Sequence, residues 1–309
     1  MKLPATLQDA IQYFADPQRC IDLLSAMRWP QGPVCPRCRS HEHGFLKSRA
    51  LFQCKSCRKQ YSVKVGTIFE DSPIKLDKWF CALWLIVNAK NGVSSYEVSR
   101  ALAVTQKTAW FMMHRIRLAL QRGSFDRKLM GDVEVDETYI GGSARNMHKK
   151  QQKKALAKEG SFRKAVVIGM LERKGEVRAE VINRASAKLI HQQIKDNVVP
   201  GSHLYTDEAN AYVAMSKEYA HDVICHSETY VNGHIHTNSI ENFWSLLKRG
   251  IKGTYVSVEP FHLFRYLDEQ CFRFNARKGN DQERFLNAVA SVQDRRVTYQ
   301  QLTGRTTNC

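Results

Sequence analysis

Two sets of side chains in this sequence have the types and spacings that hold metal ions, and chemically they differ. The first set is soft. Cys35-Pro-Arg-Cys38 and Cys54-Lys-Ser-Cys57 are two C-x-x-C pairs with fifteen residues between them. A two-residue gap lets a tight turn aim both sulfurs at one ion, and four thiolates complete the tetrahedron that zinc takes in structural sites. His41 and His43 lie inside the intervening loop. With four cysteines already in register, they are expected as exposed loop residues. The remaining cysteines have no partner spacing and read as core or surface residues.

The second set is hard. Asp136, Asp207 and Glu241 stand where elements end, at sequence separations of 71 and 34. Carboxylates brought together from strand ends and a facing helix suit Mg²⁺, which prefers oxygen ligands, substrate phosphate and water. Two such ions about 4 Å apart can activate a nucleophile and stabilise a leaving oxygen in phosphoryl transfer. Asp132, Glu134 and Asp136 share one strand face, because side chains repeat every two residues. Asp136 is chosen because it lies nearest the C-terminal end of the strand, where α/β sites form. The other two can simply face solvent, and Glu137 and Glu208 should point elsewhere.

These residues need a scaffold. Gly44–Gln53 reads as a hairpin between the cysteine pairs and Gln60–Val65 as a further strand, which together make a zinc ribbon. Residues 72–121 read as helical. Lys78–Val87 is apolar, and Ser94-Ser-Tyr-Glu97 fits a capping box. Thr105 caps a second helix over Gln106–Leu120. Two short helices joined by a tight turn match a helix-turn-helix. Its second helix carries Gln106, Lys107, Thr108, Trp110, His114 and Arg115, all able to reach bases or phosphates, with Arg117 and Arg122 adding positive charge. From Gly131 the period changes to two. Asp132–Ile140, Ala165–Leu171 and Val177–Ile182 are strands, Ala185–Asn197 a helix and Leu204–Asp207 a strand. A helix is expected over Glu208–Tyr219, a strand over Asp222–Cys225, and helices over Asn238–Lys252, Val258–Asn275 and Asp281–Val292. Three strands followed by alternating α and β units predict a mixed sheet of ribonuclease H-like order.

In His236–Gly250, Asn238, Glu241 and Lys248 share one helical face, at offsets of three and seven. The opposite face carries Ile240, Phe243, Leu247 and Ile251 and should pack on the sheet. Glu241 is thereby placed to bind metal while Lys248, two turns on, holds a phosphate.

The charge fits that chemistry. Lys and Arg number 47 against 30 Asp and Glu, a net charge of +17 with a pI near 9.5. Such an excess predicts an acidic partner, with nucleic acid first. Eight of the basic residues, among them Lys149, Lys150, Lys153 and Lys154, fall within Arg145–Lys164, which reads as a solvated loop able to grip a phosphate backbone. A membrane reading fails: the apolar stretch at Phe80–Val87 is under half of the roughly 20 residues that span a bilayer. No signal peptide is visible, so the cytoplasm is expected, where nine cysteines do not suggest a disulfide framework.

Taken together, Val-Glu-Val-Asp136-Glu-Thr-Tyr-Ile-Gly-Gly, Tyr-Thr-Asp207, His236-x-Asn238-x-x-Glu241-Asn-Phe-Trp-x-x-Leu-Lys248-Arg249-Gly and Gly253-Thr-Tyr255 resemble a family of bacterial insertion-sequence transposases. The resemblance covers about residues 15–275. It implies an N-terminal zinc ribbon holding Zn²⁺ through Cys35, Cys38, Cys54 and Cys57, and a DDE catalytic domain of the ribonuclease H-like superfamily using Mg²⁺ or Mn²⁺. Asp136, Asp207 and Glu241 are then the triad. Some family members place Asn in the third metal position, which keeps Asn238 beside Glu241, and Lys248 is implied to contact the element's end. Tyr266, Arg273 and Asn275 fit the family's C-terminal pattern and read as packing residues.

The expected organisation is an N-terminal helix and zinc ribbon at 1–70, a helix-turn-helix-like DNA-binding region at 71–125, the catalytic domain at 126–275 and a C-terminal helix and tail at 276–309. The expected function is cleavage at the terminal inverted repeats of a mobile element, followed by joining of the freed 3′-hydroxyl to target DNA in the same site. Lys107, Arg115, the four loop lysines and Arg249 would contact DNA in a homodimer or higher oligomer. Two alternatives remain open at this stage. One is a non-enzymatic zinc-ribbon and helix-turn-helix regulator, which leaves the acids without a task. The other is a metal-dependent nuclease that cuts without joining.

Overall fold

The computed structural model describes residues 3–121, 127–141, 164–207, 218–224 and 236–303. The chain forms two compact units, Met1–Arg122 with Ala276–Cys309, and Gly123–Asn275.

The first unit begins with helices α1 (Leu7–Phe14) and α2 (Pro17–Arg28). Thr6 and Asp9 form a capping box on α1, and Asp16 caps α2 ahead of Pro17, which suits the first helical position. A three-stranded antiparallel sheet follows, β1 (His43–Leu46), β2 (Leu51–Cys54) and β3 (Gln60–Tyr61), with a 3₁₀ turn between the first two strands. The expected strand Gln60–Val65 is thus cut to two residues. Val65 N–H turns back to the Ser62 carbonyl, and Lys64 Nζ reaches the Ser72 carbonyl.

Helices α3 (Leu76–Asn88), α4 (Ser95–Leu102) and α5 (Gln106–Leu120) come next. The capping box on α4 and the Thr105 cap on α5 are both present, and Ala103 turns the chain between them at φ 47°. The C-terminal helix α9 (Asp281–Ala290) packs with α3 in the same unit. The core is aromatic: Phe14, Phe80, Trp84 and Phe285 meet at ring-centroid distances of 5.2–5.7 Å. Burying each ring contributes about 1.5–3 kcal/mol, and this cluster fastens the C-terminal segment to the N-terminal helices. A short helix α10 (Tyr299–Thr303) follows.

The second unit is a five-stranded sheet in the order β6-β5-β4-β7-β8, comprising β4 (Asp132–Ile140), β5 (Ala165–Glu172), β6 (Val177–Ile182), β7 (His203–Asp207) and β8 (Ala220–Ile224). β4, β5 and β6 pair antiparallel, whereas β7 and β8 run parallel to β4. This is the ribonuclease H-like arrangement expected from the order of elements. Helix α6 (Ala187–Asn197) covers one face over Val133, Val135, Ile168 and Met170. Helices α7 (Asn238–Arg249) and α8 (Leu263–Asn275) cover the other over Ile140, Val167, Leu171 and Ala179.

The expected helix over Asn238–Lys252 ends as an α-helix at Arg249 and widens into a π-helical turn at Gly250–Tyr255. The expected helix over Val258–Asn275 starts later, with a 3₁₀ turn at Pro260–His262. Glu259 is extended, as a residue before proline must be. The Arg145–Lys164 loop (including Lys149, Lys150, Lys153 and Lys154, but for Lys164 itself) and residues 208–217 of the expected Glu208–Tyr219 helix lie outside the described residues.

Candidate active site

Sheet geometry brings Asp136 and Asp207 level. On the parallel strands β4 and β7, Glu134 pairs with Tyr205. That offset of 71 also separates Asp136 from Asp207, two residues further along each strand. Both acids therefore stand on one face of adjacent strands: Asp207 ends β7, whereas Asp136 lies at the middle of β4, which runs on to Ile140, and not near its C-terminal end as expected. Helix α7 lies over that face. It buries Ile240, Phe243, Trp244 and Leu247 and exposes Asn238, Glu241 and Lys248, the division of faces the sequence predicts. Thr237 Oγ1 donates to Glu241 Oε1 at 3.1 Å, which steadies that carboxylate at the start of the helix.

Asp136 is held from two sides. The Trp244 indole N–H donates to its Oδ2 at 2.9 Å, and the Glu137 backbone N–H to its Oδ1 at 2.7 Å. Trp244 can lie this close to the sheet because its seat is Gly169, which pairs with Asp136 across β4 and β5. A Cβ on Gly169 would sit 2.5 Å from Trp244 Cζ2. Burial pushes the Asp136 carboxyl from 3.8 up to about 6, the Trp244 hydrogen bond pulls it back, and the charges of Asp207 and Glu241 push it up again. Asp136 therefore senses both of the other acids electrostatically. A divalent cation is the natural counter-charge for such a set, and its hard oxygen donors fit Mg²⁺. Among the described residues, the only group of three or more His, Cys, Asp or Glu whose ligand atoms all lie within 4.8 Å of one another is the cysteine set. The carboxylates stand wider apart, as mutually repelling charges do.

Glu134 corrects the expectation that it faces solvent. Its side chain is 0% exposed and pairs with Arg173 Nε at 3.0 Å. Its Oε2 accepts the Ile240 backbone N–H at 2.9 Å, in the first turn of α7. Arg173 also donates to the His236 carbonyl at 2.6 Å and stacks over the Tyr205 ring at 3.8 Å. A buried acid on β4 and a cation from the β5–β6 turn thus fix the entry of α7 on the sheet. Asp132, by contrast, is exposed. Level with Glu134 across the sheet, Asn275 bonds both the N–H and the carbonyl of Val177, pinning α8 to β6. Neither Trp244, Gly169 nor Arg173 is prominent in the sequence. The nearest signal is the Phe243-Trp244 pair on the apolar face of α7.

In the first unit the four cysteines converge. Cys35 Sγ lies 3.7 Å from Cys57 Sγ, and Cys38 Sγ 3.5 Å from Cys54 Sγ. The Cys57 backbone N–H donates to Cys54 Sγ at 3.4 Å and holds that thiol down at about 6. Cys38 also takes the Ser40 backbone N–H, yet its hydrogen bond with Cys54 pushes it up to about 12. Four thiols this close cannot all ionise without a cation, and four sulfurs in a tetrad fit Zn²⁺. His41 and His43 stand outside the tetrad.

The helix-turn-helix expectation holds for the backbone and fails for one proposed contact. Arg115 is 3% exposed. Its guanidinium donates to the Glu70 carbonyl at 2.7 Å and lies over Trp79 and Phe111. His114 and Arg117 are buried as well. Helix α5 sits inside its unit, and these long side chains run along the core instead of reaching outward. Lys107 is exposed on the same helix, as are Lys248 and Arg249 on α7.

The sheet carries acids on two adjacent parallel strands, in a chain that also holds a four-cysteine cluster. Residues 128–275 match the ISXO2-like transposase domain and residues 16–60 the transposase zinc-ribbon domain. The chain carries both, the ribbon first and the transposase domain after it. An uncharacterized protein in transposable element ISH50 of Halobacterium salinarum is 27% identical over 252 residues, spanning 77% of this chain and 84% of that relative. No solved structure matches the chain. Among the described residues, no helix is long and apolar enough to cross a membrane.

Proposed function

We propose that this protein binds the terminal inverted repeats of a mobile element, cuts the phosphodiester at each end and joins the freed 3′-hydroxyl to target DNA. One observation supports the reading. The register of β4 and β7 levels Asp136 with Asp207 on the sheet face that α7 covers, and α7 leaves Glu241 and Asn238 exposed. In a chain of net charge +17, an acid cluster that would repel phosphate is explained by a cation between the two.

Asp136 and Asp207 would hold Mg²⁺ or Mn²⁺, with Glu241 completing the set and Asn238 one turn before it. Such an ion supplies Lewis-acid activation of water or a 3′-hydroxyl and neutralises charge at the scissile phosphate. Trp244 and the Glu137 N–H orient the Asp136 carboxylate. Glu134 and Arg173 hold the first turn of α7, which carries Glu241, on the sheet. Lys248 and Arg249 give that helix end positive charge for the DNA backbone, and exposed Lys107 gives it to α5. Arg115 is no part of the DNA surface. Zn²⁺ in the cysteine tetrad would keep the ribbon folded. Two element ends handled together imply at least a dimer on DNA.

The test is a strand-cleavage and joining assay with purified protein, labelled element ends and Mg²⁺. Wild type should cut and join, and D136A and D207A should bind ends without cutting. Cleavage by either variant refutes the assignment. Cutting without joining by wild type favours a nuclease, and binding alone a regulator.

A further inference from the structure

Val256 occupies a backbone state that a β-branched residue rarely adopts. Its φ and ψ are 62° and −53°, and the Ser257 N–H bonds the Tyr255 carbonyl at 2.6 Å across it. This is a γ-turn of the rare, strained, positive-φ kind. It follows directly on the π-helical turn Gly250–Tyr255, itself an uncommon feature that concentrates at functional sites. The fold holds the turn firmly. The Tyr255 hydroxyl donates to Glu269, a fully buried acid also paired with Arg273, and the Tyr255 ring packs edge-on against Tyr266 at 4.7 Å. What this strain presents is an apolar side chain in solvent: Val256 is 77% exposed.

Beside it lies a cavity of about 750 Å³, within the roughly 300–1,000 Å³ of ligand pockets. Its floor is apolar, including Ile140, Ile251, Val258 and Leu263, and Tyr139 stands exposed among its lining residues. Lys164, Lys248 and Lys252 also line it, and among the described lining residues none is acidic. Ile140 is four residues beyond Asp136 on β4, about 13 Å at strand spacing. A phosphate backbone alone needs the lysines but not the apolar floor, and an apolar ligand needs the floor but not the lysines. A nucleotide with its base out of the stack uses both, and Tyr139 offers it an aromatic face.

We propose that Val256 is a wedge that enters the base stack at the element end, and that the cavity takes up the nucleotide it displaces. Apolar side chains open base steps in this way in other DNA-distorting proteins. The inference rests on the DNA-end function proposed above.

The test uses the full-length protein and terminal-repeat duplexes carrying 2-aminopurine at one position at a time around the cleavage site, without divalent metal. Wild type should raise the fluorescence several-fold at one or two adjacent positions. V256G, whose glycine accepts the same backbone state, should keep its thermal midpoint and end binding but lose most of that rise. It should also cut at least tenfold more slowly with Mg²⁺, and an abasic nucleotide at the bright position should restore its rate. Unchanged fluorescence and cleavage in V256G overturn the wedge, as does a wild type that cuts without brightening any position. If wild type neither cuts nor joins in Mg²⁺, the transposase reading itself fails and this inference with it.

Discussion

Replacing Asp136 by Asn should stabilise the metal-free protein while ending its proposed chemistry. Burial and the charges of Asp207 and Glu241 outweigh two hydrogen bonds and raise the Asp136 carboxyl from 3.8 to about 6. A carboxyl raised in the folded state favours folding below the unfolded value and opposes it above the folded one. The penalty grows as pH rises from 3.8 to about 6 and is constant beyond, at about 3 kcal/mol. Asn carries no charge, but it offers one acceptor where two N–H groups donate, which costs about 1 kcal/mol. At pH 8 the net gain is about 2 kcal/mol, an increase of about 4–8 °C in the midpoint of a unit this size. At pH 4.5 the two effects nearly cancel. Thermal or urea unfolding of both proteins in EDTA at the two pH values measures this. Mg²⁺ should stabilise wild type at pH 8 and leave D136N unmoved. A D136N protein less stable than wild type at pH 8, or a gain as large at pH 4.5, refutes the account of a buried carboxylate under repulsion.

Gly169→Ala should cost about 1–3 kcal/mol by overpacking, because its Cβ would meet Trp244 at 2.5 Å. Displacing the ring removes a donor from Asp136, so cleavage should fall with stability, seen together in urea unfolding and the strand-cleavage assay. Arg173→Ala strands the buried Glu134 charge and should destabilise by about 3–5 kcal/mol, whereas E134Q, which can still accept the Ile240 N–H, should cost less. Both are read by denaturant unfolding. Elemental analysis should find one zinc per chain bound by the cysteines, and C54S or strong chelation should unfold the ribbon, visible as lost near-ultraviolet signal from Trp29, Phe52 and Tyr61, which pack together there.

What the sequence made legible was local or periodic. The cysteine tetrad is written in two short spacings, the strand β4 in its alternation, and the apolar face of α7 in offsets of three and four. Asp207 does end its strand, but Asp136 lies at the middle of β4, and the common offset of 71 becomes meaningful only once β7 is known to pair parallel with β4. Glu134 was the harder case. Its partners Arg173 and the Ile240 N–H lie 39 and 106 residues away, and no periodicity marks a buried acid whose compensation is that distant. Trp244 reads as one more apolar residue on α7, because its role depends on the missing side chain of Gly169. Arg115 misled for the opposite reason: its charge suggests solvent, yet its long stem lies along aromatic rings and its head finds a carbonyl. The π-helical turn after Arg249 carries no sequence signal distinct from that of an ordinary helix.

The central claim is that Asp136, Asp207 and a third ligand on α7 share a divalent cation. Calorimetric titration of Mn²⁺ into the zinc-loaded full-length protein tests it without requiring DNA or turnover. Binding should be present in wild type and lost in D136A and D207A. Comparing E241Q with N238A should identify the third ligand as the one whose loss weakens binding by at least tenfold. Mn²⁺ bound with wild-type affinity by D136A and D207A would contradict the account.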